Sequence, residues 1–177
     1  MVTIIGLEYC TEMFKIIVTG PESSGKTFLC KALSQHFKIK FSKEYAREYL
    51  SSLKRNYTQK DLLKIAKQQL KAEKNKMLLD TDLITIKIWS NYKYGNCNNW
   101  ILEQIEKQKK EKRFYLLCQP DIKWEEDPLR ESPKNRNELF EIYKKELKIL
   151  DHDYYIIKGK NRTNKAISKI LSKNFLI

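Results

Sequence analysis

The feature that most constrains this chain is Gly20-Pro21-Glu22-Ser23-Ser24-Gly25-Lys26-Thr27, which matches the pattern G-x-x-x-x-G-K-S/T in full. The run before it, Phe14-Lys15-Ile16-Ile17-Val18, is short, apolar and β-branched, and reads as a buried parallel strand. After it, Leu29, Leu33 and Phe37 fall at i, i+4 and i+8 of a helix. Strand, glycine-rich loop and helix in that order aim backbone N–H groups and the positive end of a helix at a bound phosphate. The pattern therefore predicts nucleoside-triphosphate binding by Gly20, Glu22, Ser23, Ser24, Gly25, Lys26, Thr27 and Phe28. Lys26 would reach the β/γ-phosphates and the Thr27 hydroxyl would sit on Mg²⁺.

The chain has 177 residues, enough for one domain with a substantial core. We read residues 14–177 as that domain and 1–13 as an N-terminal extension, too short and too acidic for a secretory signal. No run of eighteen apolar residues predicts a membrane span. Cys10, Cys30, Cys97 and Cys118 are scattered without a C-x-x-C pair, which argues against a zinc site and fits reduced thiols in a cytoplasmic protein. The net charge of +13 raises the question of nucleic acid. The lysines, however, spread along nearly every predicted helix and no nucleic-acid-binding signature accompanies them, so solvated faces explain them better.

Beyond the first strand–loop–helix unit, short apolar runs alternate with helical patterns. Strands are expected at Ile39-Phe41, Met77-Leu79, Phe114-Cys118 and Tyr154-Ile157. Helices are expected from Ser42, from Thr58 to about Lys76, from Leu83, around Trp100–Ile105, from Asn137 to Leu150 and from Asn164 to Leu171. Thr58 with Asp61 three residues on predicts a capped helix start. The alternation predicts an α/β fold, a three-layer domain like those of P-loop nucleoside kinases with a parallel five-stranded sheet, and places ligands at the carboxyl ends of the strands.

A GTPase reading needs Asn-Lys-x-Asp on a later strand, and both Asn-Lys pairs, at Asn75 and Asn164, lack the Asp. A small-molecule kinase needs a phosphate loop, a Mg²⁺ carboxylate, a carboxylate near the acceptor hydroxyl and a basic lid. Asp80 ends an apolar strand, where a metal-side carboxylate belongs. Glu44 and Asp82 compete as the base that takes the acceptor proton, Asp82 having a helix-capping alternative. Arg130 and Arg136 lie in an irregular, proline-containing segment that reads as a lid carrying transition-state cations.

Taken together, the phosphate loop, Glu44-Tyr45-Ala46-Arg47-Glu48-Tyr49, Asp80-Thr81-Asp82, Trp89, Tyr94-Gly95, Asp121-Ile122-Lys123-Trp124 and Leu129-Arg130-Glu131 resemble the kinase domain of NadR-type proteins, the ribosylnicotinamide kinases. The resemblance runs from about Phe14 to Leu171. It implies Mg²⁺-dependent transfer of the ATP γ-phosphoryl to the 5′-hydroxyl of nicotinamide riboside, a small-molecule nucleoside, giving nicotinamide mononucleotide. Longer members carry DNA-binding and adenylyltransferase modules ahead of the kinase, and this chain is expected to lack both. Where some relatives have a ring-stacking aromatic before the Glu-Tyr pair, this sequence has Lys43.

A pyridinium nucleoside favours aromatic faces and carboxylates. Tyr45, Tyr49, Trp89, Tyr92, Tyr94 and Trp124 are candidates, with Tyr45 and Trp124 preferred. Arg47 would hold a phosphate or the Glu44 carboxylate. Two alternatives remain open at this level: a P-loop kinase for another nucleoside or nucleotide, and a basic nucleotide-switched ATPase that binds nucleic acid.

Overall fold

The computed structural model describes residues 14–173; the N-terminal extension read over residues 1–13, with Cys10, lies outside them. The elements run β1 (Lys15–Thr19), α1 (Lys26–Phe37), β2 (Phe41–Ser42), α2 (Tyr45–Ser51), α3 (Gln59–Ala72), β3 (Leu78–Asp80), α4 (Leu83–Tyr94), α5 (Asn99–Gln108), β4 (Arg113–Cys118), α6 (Arg136–Ile149), β5 (Asp153–Ile157) and α7 (Arg162–Leu171). The five strands form one parallel sheet in the order β2-β3-β1-β4-β5. No helix among the described residues is long and apolar enough to cross a membrane.

Alternation along the strands divides the core into two layers, because successive side chains of a strand point to opposite faces. Ile16, Val18, Leu78, Phe114, Leu116 and Cys118 pack against Leu29, Cys30 and Leu33 of α1 and Ala166 and Ile170 of α7. Ile17, Leu79, Tyr115 and Leu117 face the other way, onto α2 to α6. Buried on both faces, the central strands have no polar alternation, and each fully buried aliphatic side chain contributes about 1.5–3 kcal/mol. The expected three-layer α/β architecture is the observed one.

Element ends differ from the sequence reading for local reasons. Lys38 closes α1 in a left-handed conformation at φ 54°, and the Ser34 hydroxyl and carbonyl bond to the main chain of Ile39. Those bonds consume residues 38–40, so β2 starts at Phe41. Helix α3 stops at Ala72, and Asn75 at φ 58° turns the chain before β3. At its other end the expected cap is present: the Asp61 carboxylate accepts the Thr58 N–H at 2.8 Å. Strand β4 starts one residue before the expected Phe114, at Arg113, which is buried.

Candidate active site

At the carboxyl ends of β1, β3 and β4 lies a cavity of about 690 Å³. The phosphate loop forms its floor. Gly20, at φ 135°, leaves β1 so close to β4 that a Cβ there would stand 2.5 Å from the Cys118 carbonyl oxygen. Gly20 does not line the cavity; it lets two strands approach. Gly25, left-handed at φ 83°, turns the loop into α1. Lys26 and Thr27 open that helix and line the cavity, so N–H groups without intrahelical partners are carried to its wall. Ser24 Oγ and Lys26 Nζ both donate to the Pro21 carbonyl, at 2.7 and 2.8 Å, and brace the loop.

Thr27 Oγ1 donates to Asp80 Oδ2 at 2.7 Å. The other carboxylate oxygen, Oδ1, is buried without a hydrogen-bond partner. Burial pushes the Asp80 carboxyl above its usual range, with the Thr27 bond and Lys26 opposing. A hydroxyl and a carboxylate with a spare buried oxygen, beside an ammonium, fit a hydrated Mg²⁺ carried in with a triphosphate.

Glu44 stands at the start of α2 and does not cap it, so its carboxylate is free to line the cavity. Burial raises its pKa above 4.5; Lys26 pulls the other way and Asp80 adds to the rise. A partly buried carboxyl beside the phosphate loop, with no bond of its own to an α2 amide, has the disposition of a proton acceptor.

Asp82 is corrected. Its side chain is 0% exposed and turned into the layer beneath α4. Oδ1 caps that helix by accepting the Ile84 N–H at 3.1 Å, and Oδ2 accepts from Tyr115 OH at 2.7 Å and Arg113 Nη1 at 3.2 Å. Arg113 also binds buried Glu73, at 2.9 Å. Asp82 therefore belongs to an internal ion cluster and cannot reach an acceptor in the cleft; of the two competing carboxylates only Glu44 lines it.

The segment between β4 and α6, residues 119–135, forms an arm over the cavity. Arg130 lines the cavity and donates to the Glu125 carbonyl at 2.5 Å. Arg136 does not line it: Nη1 is spent on the carbonyls of Ser23 and Ile122, both at 3.1 Å. Trp124 is corrected too, since the guanidinium carbons of Arg130 and Arg136 stand 5.9 and 5.6 Å from its ring centroid, and it is absent from the cavity wall. Tyr45 leans on Tyr49, centroids 6.2 Å apart, against the core. Arg47 does line the cavity, and its guanidinium bonds Asp127 of the arm at 2.7 Å rather than Glu44.

Several lining residues were not singled out by the sequence. Arg162, first residue of α7, donates to the Ser24 and Gln119 carbonyls at 2.8 Å each and pairs with Asp121. Around it the wall continues through Ile122, Gly159, Asn161, Thr163 and Asn164, opposite Phe28, which is 73% exposed. At the other end Leu50, Trp89 and Leu129 lead into a side chamber of about 40 Å³ shared with Glu22, Tyr57, Tyr92, Lys93 and Glu131. Trp89, one of the six aromatic candidates, is the one on the wall of both spaces. Cys118, also on the wall, is held neutral by burial, which pushes its thiol up to about 12.

A family model described as "AAA domain" matches residues 15–163. None of the curated protein sequences matches. Among solved structures, NadR protein in complex with NR shares the fold at TM-score 0.73 and 22% identity, over 90% of this chain and 51% of that one. A second NadR structure, with NAD and AMP-PNP, gives TM-score 0.66 at 21% identity over 90% and 49%. Deoxyadenosine kinase from M. mycoides, with products dCMP and dCDP, gives 0.59 at 18% over 93% and 100%. The chain thus spans about half the length of the NadR chains and the whole of the deoxyadenosine kinase chain. The fold resembled at the sequence level is the fold found.

Proposed function

Because the chain belongs to the AAA domain family over residues 15–163, we propose that it is a P-loop phosphotransferase that moves the ATP γ-phosphoryl to the 5′-hydroxyl of a nucleoside, with nicotinamide riboside as acceptor. The observation that carries this reading is the convergence of Lys26, Thr27 and Glu44 on one cavity at the loop, with Asp80 bonded to Thr27 behind it. The likeness to NadR with NR and to deoxyadenosine kinase supports it.

Phosphoryl transfer needs positioning and charge neutralisation more than covalent chemistry. The loop N–H groups and Lys26 would cradle the donor phosphates. Mg²⁺, where bound, would be held by Thr27 and by Asp80 and would neutralise charge on the β/γ-oxygens. Glu44 would accept the proton of the acceptor hydroxyl, its raised pKa bringing it nearer the operating pH. Arg130 at the rim would stabilise charge spreading over the transferring group.

The acceptor end supports a cationic ring. Lys93 already sits 3.7 Å over Tyr57 and pairs with Glu131, so Trp89 and Tyr92 are the aromatic faces left in the side chamber, with Glu22 as the nearby carboxylate. Cation–π attraction contributes roughly 0.5–2 kcal/mol depending on desolvation. Shape and hydrogen bonding must supply the rest of the selectivity. The test is mass detection of product from a mixed panel of nicotinamide riboside, deoxyadenosine, uridine, cytidine and thymidine with ATP and Mg²⁺. Nicotinamide mononucleotide is expected to dominate. A phosphorylated deoxynucleoside or pyrimidine nucleoside in its place would overturn the acceptor assignment.

A further inference from the structure

Glu22 belongs to the phosphate loop, yet its carboxylate serves the arm. Glu22 Oε2 accepts the backbone N–H groups of both Glu131 and Ser132, each at 3.0 Å. Its neighbour Ser23, held at φ 50°, accepts the Glu125 N–H on its hydroxyl at 3.1 Å and Arg136 Nη1 on its carbonyl at 3.1 Å. At its β4 end the arm is held by Arg162, on the Gln119 carbonyl and Asp121, but around Arg130 its ties include the exposed ion pairs Arg47 with Asp127 and Lys93 with Glu131, of a kind worth about 0–1 kcal/mol. A carboxylate that accepts two amides in a partly desolvated site is the stronger anchor.

We propose that Glu22 is a positioning residue that fastens the arm to the phosphate loop, so that Arg130 is presented to the transferring phosphoryl in register with the loop that holds it. Three features point the same way. Arg130 follows from the register, because the amides that Glu22 binds are the two immediately after it. Leu129, the residue before, lines both the cavity and the side chamber, as Glu22 itself does. A segment of this length without regular structure keeps one shape only where it is tied down. Release of the Glu22 bonds would therefore free the arginine and open the site to water together. This proposal rests on the kinase reading for its catalytic consequence and not for the fastening itself.

The test uses full-length Glu22→Ala and Glu22→Gln. Amide hydrogen exchange by NMR at Glu131 and Ser132 is expected to accelerate about 10–100-fold in Glu22→Ala, the loss of bonds to a charged acceptor. Glu22→Gln, which keeps an acceptor oxygen, is expected to fall between it and the unaltered protein. In turnover, Glu22→Ala should lower kcat. It should also raise the ratio of ATP hydrolysis to phosphoryl transfer, which a merely structural role would not do. Unchanged exchange at the two amides in both variants would overturn the proposal. So would faster exchange with kcat and the hydrolysis ratio unmoved. Absence of transfer in the unaltered protein would instead defeat the kinase reading, since the exchange arm does not depend on it.

Discussion

The Thr27 hydroxyl and the Asp80 carboxylate, 53 residues apart in the chain, meet at 2.7 Å where α1 begins and β3 ends. That bond ties the phosphate loop to the neighbouring strand and leaves Asp80 Oδ1 buried without a partner. Asp80→Asn is expected to raise the Mg²⁺ concentration needed for half-maximal activity and to slow transfer, by roughly 10–100-fold for a residue that orients a metal from behind its water. Titration of Mg²⁺ against initial rate checks this; an unchanged Mg²⁺ dependence would contradict it.

Glu44→Gln tests the base. Removal of a general base costs about 10²–10⁴-fold in rate. The pH profile carries a second, opposite-signed signal. The Glu44 pKa is raised in the folded protein, so ionising it costs more folded than unfolded, and the protein loses stability relative to Glu44→Gln as pH rises through the raised value. The variant is thus expected to melt above the unaltered protein at neutral pH while working more slowly. The difference should close once pH falls below the ordinary carboxylate pKa, where Glu44 is neutral in both states. Thermal melts and kcat/KM over the same pH series read both effects.

How much of this was legible depended on the range of the interactions. The phosphate loop is local, and Gly25 and Lys26 stand where the pattern put them. Glu44 was legible because a strand end precedes it and aims it into the cleft. Asp82 was legible as a helix cap, the alternative its position offered, but not as a buried ion-pair member, since its second oxygen is held by Arg113 and Tyr115, partners 31 and 33 residues away that no periodicity announces. Arg162 was hidden for the same reason: nothing in its neighbourhood along the chain marks a guanidinium bound for Ser24, 138 residues earlier. Which aromatic faces are covered was not legible either, because residue type does not say it: Tyr45 leans on Tyr49, and two guanidiniums stand over Trp124.

Arg113 is a residue whose loss should unfold rather than inactivate. It is buried between Glu73 at 2.9 Å and Asp82 at 3.2 Å, so Arg113→Leu leaves Asp82 without its counter-ion and Glu73 with Lys15 alone, at 3.8 Å. Breaking such a pair from one side costs about 3–5 kcal/mol. Chemical denaturation should show that loss as a lower midpoint at unchanged slope. A loss within about 0.5 kcal/mol, the range of an ordinary surface change, would contradict the cluster's structural role.

Lys26→Ala should do the reverse, keeping the fold and losing transfer. Lys26 bonds one loop carbonyl, Pro21, which Ser24 also satisfies, so little stability is at stake. Circular dichroism and thermal melts close to those of the unaltered protein, with transfer lost, are expected. Folded Lys26→Ala protein with undiminished turnover would remove the phosphate loop from the mechanism.

The most direct measurement of the central claim is ³¹P NMR of the protein with ATP, Mg²⁺ and nicotinamide riboside. The account predicts that ADP and a 5′-phosphomonoester of the nucleoside accumulate in equal amounts while the ATP γ-resonance disappears. Accumulation of ADP and inorganic phosphate alone, with no phosphorylated nucleoside, would contradict it.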